Sequence, residues 1–181
     1  MKVLCILTDG FEDIEAIGTI AILRRAQIEV DVYALDATEA TGRYNTHIVD
    51  LKNSKELDSS SYDLLFIPGG PHYVKLEASD FVKNLILEFD AKNKYIATIC
   101  AGPTILGHLG LLKNRNYTCF TSMNEDFGGH YLDRYAVRDG KIITGKSAAA
   151  VIDFASKIIE VTEGKTKAEA VKNSIFYYNK D

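Results

Sequence analysis

Residues 95–106 (YIATICAGPTIL) constrain the fold of this chain more than any other stretch. The segment begins as a short apolar run with β-branched residues, which is typical of a buried strand. It breaks at Ala101-Gly102-Pro103 and then continues with apolar residues at helical spacing. Proline suits the first turn of a helix, because the N–H that it lacks has no partner there. The pattern therefore predicts a strand, a tight turn at Cys100 and a helix.

The predicted turn gives Cys100 the setting of a nucleophile. Small residues, Thr98 and Gly102, lie two positions to either side of it, as a tight strand-to-helix elbow requires. A thiol on such a turn faces the positive N-terminal end of the helix, which favours thiolate over thiol. The alternative is a buried cysteine that only packs, as most buried cysteines do. The turn favours the reactive role.

The rest of the chain alternates strand-like apolar runs with amphipathic helical runs. Besides the strand and helix around Cys100, the pattern predicts a hairpin turning at Asp139-Gly140 and a loop over residues 122–133. The alternation predicts an α/β fold, in which a mostly parallel sheet carries helices on both faces. Further strands are predicted over residues 2–8, 28–35, 63–67 and 117–120, helices over 14–26, 81–90, 147–161 and 167–176, and a short hairpin within 41–49.

Composition limits the class of protein. The net charge of −4, with no basic stripe, argues against a nucleic-acid partner. The three cysteines have no CxxC spacing, and their odd number does not suit a disulfide framework. No apolar run is long enough to span a membrane, and a first strand that begins at Lys2 leaves no room for a signal peptide. We therefore expect one cytoplasmic domain over residues 1–181.

Three predicted turns should meet at one edge of the sheet. Residues 10–15, the Gly69-Gly70 pair and the Cys100 elbow each follow a buried strand, and ligands of such sheets bind at the carboxyl ends of the strands. Glu15 either stabilises the start of its helix or acts as a buried, protonated acid that donates a hydrogen bond to the thiolate. Among the histidines, His130 is the best candidate for a proton carrier, because it lies in a glycine-rich loop.

Four segments together resemble the ThiJ/PfpI superfamily, and within it the DJ-one (protein deglycase) branch. They are residues 10–15 (GFEDIE), 68–70 (PGG), 99–104 (ICAGPT) and 128–131 (GGHY). The resemblance covers essentially the whole chain, and the cysteine segment is its most specific part. It implies a flavodoxin-like three-layer sandwich, and a homodimer.

The resemblance also assigns roles to residues. It makes Cys100 the reactive cysteine, Glu15 its protonated partner, Gly70 and Ala101 the backbone donors near the thiol, and His130 a nearby histidine. The activity it implies is a glyoxalase reaction on small reactive aldehydes, such as methylglyoxal to lactate, or deglycation, with no cofactor and no metal. The alternative is an oxidative-stress sensor or redox-regulated chaperone that uses the same cysteine.

The sequence differs from two related branches of the superfamily, and these differences exclude or disfavour their activities. Ala101 follows the cysteine, so the chain lacks the Cys-His pair of the protease branch, and a peptidase or amidase is the weakest alternative. The chain also lacks a His-x-Glu after the elbow, which excludes a glutamine amidotransferase. The resemblance, with these branches set aside, therefore implies a cysteine-dependent enzyme for small aldehydes.

Overall fold

The strand-like runs form a seven-stranded sheet in the computed structural model, which describes residues 1–178. The strands are β1 (Lys2–Leu7), β2 (Glu29–Ala34), β3 (Ala40–Thr41), β4 (His47–Ile48), β5 (Lys52–Asn53), β6 (Leu64–Ile67), β7 (Tyr95–Ile99), β8 (Asn116–Tyr117), β9 (His130–Tyr131), β10 (Ala136–Asp139) and β11 (Ile142–Gly145). The helices are α1 (Thr19–Arg25), α2 (Tyr73–Ala78), α3 (Asp80–Ala91), α4 (Gly102–His108), α5 (Val151–Thr162) and α6 (Lys165–Ser174). A π-helical turn, Ile14–Gly18, runs directly into α1.

The strand order of the large sheet is β10-β11-β7-β6-β1-β2-β5. Every pairing in it is parallel except the hairpin of β10 and β11. The chain passes from β1 to β2 on one side and later returns to place β6 on the other side of β1. The predicted flavodoxin-like α/β fold is confirmed.

Helices cover both faces of the sheet because its central strands bury side chains on both sides. In β1, Val3, Cys5 and Leu7 pack into a cluster with α1, α5 and α6. Leu4 and Ile6 point the other way, into a second cluster with α2, α3 and α4. Within residues 1–178, no helix is long and apolar enough to cross a bilayer.

Local sequence explains where α3 and α4 begin. The Ser79 side chain accepts a hydrogen bond from the Val82 N–H and so caps α3, whose buried stripe continues through Leu85, Ile86 and Phe89. Pro103 lies in the first turn of α4, as predicted, where the missing donor costs nothing.

Two local predictions were wrong, and two short elements, β5 and α2, were missed. The strand predicted over residues 117–120 is only β8, and the loop predicted over 122–133 contains β9, which pairs with β8 in parallel. Helix α2 was missed because it has six residues, which is too short for a periodic apolar pattern, and follows a Gly-Pro turn. The hairpin predicted within 41–49 is confirmed as β3 and β4.

Candidate active site

The three predicted turns meet at the carboxyl edge of β1, β6 and β7. The topology reverses between β1 and β6, and the turns after these strands, together with the elbow after β7, enclose one cavity. In open α/β sheets, ligands bind at this switch point.

Cys100 lies on a strained elbow between β7 and α4. Its φ of 63° is in the left-handed region, which costs an L-residue on the order of 1–2 kcal/mol. Two backbone hydrogen bonds of 2.9 Å maintain this conformation: the Cys100 N–H donates to the Gly145 carbonyl, and the Phe120 N–H donates to the Cys100 carbonyl. The surrounding structure therefore sets the direction of the side chain.

The glycine turn after β6 lets the reactive groups approach each other. A Cβ on Gly69 would lie 2.4 Å from Glu15 Oε2 and 2.5 Å from Cys100 Cβ. Gly70 has a φ of 101°, and a Cβ there would lie 2.4 Å from the backbone nitrogen of Glu12. Both positions need glycine, the first for space and the second for space and backbone conformation.

Gly70→Ala should lower the free energy of unfolding by about 3 kcal/mol or more, because the new methyl group adds overlap with backbone atoms to the left-handed strain. The matched control is Gly110→Ala. Gly110 also has a positive φ, 76°, but a Cβ there would meet nothing within 4 Å. The control should lose only about 1 kcal/mol. Urea unfolding measures both losses, and equal losses would contradict the overlap.

Glu15 is buried on the second residue of the π-helical turn, with 1% of its surface exposed. Its Oε2 accepts the Gly69 N–H at 3.0 Å, and its carboxyl group also contacts the Cys100 thiol. Burial raises the pKa of Glu15 to about 7, since the contact with Cys100 and the Gly69 N–H oppose it only partly, while the charge of Glu12 adds to the rise. The carboxyl group can therefore hold or release a proton near neutral pH.

The Cys100 sulfur accepts hydrogen bonds from the backbone N–H groups of Gly70 and Ala101. Burial and then the charge of Glu15 nevertheless raise the pKa of the thiol, with these two donors opposing the rise. Burial and an ionised Glu15 therefore oppose the helix end, which was expected to favour the thiolate. Cys100 and Glu15 titrate as a coupled pair that resists carrying two negative charges. When the proton is on Glu15, the carboxylic acid and both N–H groups can stabilise a thiolate.

The cavity in front of this pair has a volume of about 500 Å³. One wall comes from the loop between β3 and β4, which Asp13 holds in place by accepting the N–H of Tyr44 at 3.0 Å. The lining combines two carboxylates and one guanidinium with aromatic and aliphatic groups. It consists of Glu12, Glu15, Arg43, Tyr44, Gly70, Pro71, Tyr73, Val74, Cys100, Ala101, Phe120, Met123, Ser147 and Ala148.

His130 is the predicted site residue that the structure does not bring to this cavity. It lies in β9, where its N–H donates to the Arg115 carbonyl at 2.8 Å, and its side chain is exposed. The pairing with β8 explains the difference, because it replaces the loop in which His130 was expected to reach the thiol. Within residues 1–178, the lining of the cavity includes no histidine.

Sequence reasoning missed several residues of the cavity. Glu12 lies in the same acidic segment as Glu15, and this proximity was the available signal. No sequence signal marked Phe120 and Met123. They come from an irregular segment after β8, which lies near the Cys100 elbow only in the folded chain.

A partly exposed cysteine beside a buried carboxyl group, at the switch point of a flavodoxin-like sheet, defines a cysteine-centred α/β protein. The chain belongs to the DJ-1/PfpI family, whose model matches residues 1–161. It is 33% identical to the glutathione-independent glyoxalase DJR-1.2 of Caenorhabditis elegans, over 88% of this chain and 87% of that protein. It is 31% identical to a putative cysteine protease, YraA, of Bacillus subtilis, over 81% and 89%. The crystal structure of Drosophila melanogaster DJ-1beta superposes with a TM-score of 0.91 at 29% identity, covering 98% of this chain and all of that one.

Proposed function

We propose that this protein is a cysteine-dependent, cofactor-independent enzyme that converts methylglyoxal, or a similar small 2-oxoaldehyde, into its 2-hydroxy acid. The observation that carries the proposal is the coupled pair of Cys100 and Glu15 at one cavity, with backbone donors from Gly70 and Ala101. The relative named a glutathione-independent glyoxalase supports the same chemistry.

The first step is addition. The Cys100 thiolate forms a C–S bond to the aldehyde carbon, and the carbonyl electron pair moves to oxygen. The Glu15 acid protonates this oxygen, giving a hemithioacetal and a Glu15 carboxylate. The N–H groups of Gly70 and Ala101, which stabilise the thiolate beforehand, lie next to the developing oxyanion.

The second step is an internal redox change. The Glu15 carboxylate removes the proton from the former aldehyde carbon and passes it to the neighbouring ketone oxygen, which gives an enediol and again a Glu15 carboxylate. Glu15 then takes the hydroxyl proton from the sulfur-bearing carbon and returns a proton to the former ketone carbon, which leaves a thioester of the 2-hydroxy acid. Water hydrolyses this thioester and frees Cys100. One carbon is oxidised and its neighbour reduced, so methylglyoxal and water give lactic acid without an external oxidant.

The test is turnover of methylglyoxal by the purified protein without glutathione. Lactate should accumulate in proportion to enzyme, and intact-protein mass spectrometry should find the transient adduct on Cys100. Cys5 and Cys119 should stay unmodified, because both are completely buried whereas Cys100 is partly exposed. Loss of methylglyoxal without lactate would mean that the thiol only scavenges the aldehyde, and the proposal would fail.

The second candidate is a redox sensor or redox-regulated chaperone. The favouring observation is that Cys100, among three free cysteines, is the one whose side chain reaches a cavity. Hydrogen peroxide would oxidise it to the sulfinate, whose oxygens would meet the same donors. Sulfinate formation on Cys100 that changes partner binding, in a protein without aldehyde turnover, would favour this candidate. A peptidase is disfavoured because no histidine of residues 1–178 lines the cavity.

We also propose that the chain is a cytoplasmic, single-domain homodimer. Exposed apolar side chains, Ile14 and Ile17, on the π-helical turn support an interface between two copies. Sedimentation at micromolar concentration should give twice the monomer mass, and a clean monomer would contradict the dimer.

A further inference from the structure

Glu12, Glu15 and Gly69 are joined by a closed ring of three hydrogen bonds. The Glu12 N–H donates to the Gly69 carbonyl at 2.8 Å, and the Gly69 N–H donates to Glu15 Oε2 at 3.0 Å. The Glu15 N–H then donates to Glu12 Oε2 at 2.8 Å. The ring ties the start of the π-helical turn to the glycine turn, and it fixes the Glu12 carboxylate relative to the Glu15 carboxyl group.

The Glu12 contact resembles a helix cap, but glutamate is an unusual residue for it. Serine, threonine, aspartate and asparagine usually accept the N–H of a residue two or three positions later. The longer side chain of Glu12 makes this contact and also lines the cavity, while only 8% of its surface is exposed. The Glu12 carboxylate therefore lies beside the reacting groups, and helix capping alone would not require this position.

Few other charges face this carboxylate. The Arg43 guanidinium lies over the Tyr44 ring at 5.5 Å on the exposed rim of the cavity. Asp13 points away and accepts hydrogen bonds from the loop between β3 and β4. His72, behind the glycine turn, is buried, and burial lowers its pKa to about 4, so it is neutral. Within residues 1–178, no ion pair includes Glu12.

We propose that Glu12 is a positioning residue that shifts the shared proton from Cys100 toward Glu15 and so favours the Cys100 thiolate. The inference rests on the proposed function. The exchange moves one proton from sulfur to a Glu15 oxygen, turning a thiol and a carboxylate into a thiolate and a carboxylic acid. Two negative charges close together repel each other. Because the ring of hydrogen bonds holds the Glu12 carboxylate near Glu15, this repulsion destabilises the ionised form of Glu15. The charge of Glu12 accordingly raises the pKa of Glu15, after the larger effect of burial.

The test is a pH titration of Cys100 in wild type and in Glu12→Gln. The glutamine has the same length, and its amide oxygen can still accept the Glu15 N–H, so only the charge is lost. The pKa of the Cys100 thiol, followed by thiolate absorbance and by the pH dependence of alkylation with iodoacetamide, should rise by about 0.5–1 unit, which is a three- to tenfold fall in its ionisation constant.

Two further variants control the measurement. Glu12→Asp keeps the charge and should stay closer to wild type than Glu12→Gln, and it remains informative if the glutamine variant does not fold. Glu56→Gln removes an exposed charge that does not line the cavity and should leave the Cys100 titration unchanged.

Two outcomes would overturn the inference, and they differ. A Glu12→Gln titration identical to that of wild type would overturn the role of Glu12 alone. A wild-type Cys100 that stays a thiol through neutral pH would also remove the thiolate on which the proposed function depends. Neither measurement requires turnover, so a wrong assignment of the substrate would not affect the result.

Discussion

Cys100→Ala should reduce methylglyoxal turnover to the rate in buffer, a loss of roughly 10⁴-fold or more, because no covalent intermediate can form without the sulfur. The fold should persist. The elbow is held by backbone hydrogen bonds to Gly145 and from Phe120, which the substitution does not remove. The free energy of unfolding should therefore change by only about 1 kcal/mol or less. Lactate formation and urea unfolding measure the two effects.

Cys119→Ala is the matched control. Cys119 is as free of disulfide bonding as Cys100, but it is completely buried and does not line the cavity. Its substitution should leave turnover intact and cost only packing energy. If Cys100→Ala retained turnover, the cysteine nucleophile would be ruled out and the aldehyde chemistry would need another group.

Glu15→Gln should lower methylglyoxal turnover by roughly 10²–10⁴-fold, the usual effect of removing a general acid–base group. Glutamine can still donate a hydrogen bond to the sulfur from its amide, so Cys100 should still form the aldehyde adduct. It cannot accept the proton from the former aldehyde carbon, so the adduct should accumulate instead of proceeding to lactate. Single-turnover mass spectrometry, with Cys100→Ala as the blank, separates the two steps.

Glu15→Leu tests the other role of the same side chain. Leucine removes the donor as well as the proton carrier, so oxidation of Cys100 to sulfinate by peroxide should slow relative to Glu15→Gln. Full turnover in Glu15→Gln would show that Glu15 carries no proton. The enzyme proposal would then lose its acid–base group, and the redox sensor would become the better function.

Much of the fold could be predicted because its central strands are nearly continuous apolar runs. Such runs, for example Lys2–Leu7, belong to strands buried on both faces, and the glycine-rich turns after them mark the carboxyl edge of the sheet. The grouping of Cys100, Glu15, Gly70 and Ala101 follows from the same rule, since each lies on a turn or at a helix start that follows a central strand.

The remaining parts depend on contacts that no local pattern encodes. His130 has a glycine-rich neighbourhood that suggests a site loop, yet its pairing with a distant two-residue strand places it elsewhere. The helix end was expected to favour the Cys100 thiolate, whereas burial and the charge of Glu15, which only the folded chain brings together, raise the pKa of the thiol. Phe120 lines the cavity and its N–H donates to the Cys100 carbonyl, a contact between distant segments that the sequence pattern does not show.

The left-handed backbone at Cys100 has a consequence for how such a site changes during evolution. If selection acted on stability alone, we would expect glycine at position 100, because glycine adopts this backbone conformation without strain. A protein with glycine there would be about 1 kcal/mol more stable than one with alanine. Replacement of Cys100 by glycine would thus remove the reactive side chain and raise the free energy of unfolding. A lineage freed from the need for the chemistry should therefore drift toward glycine at this position, while its fold survives as an inactive scaffold.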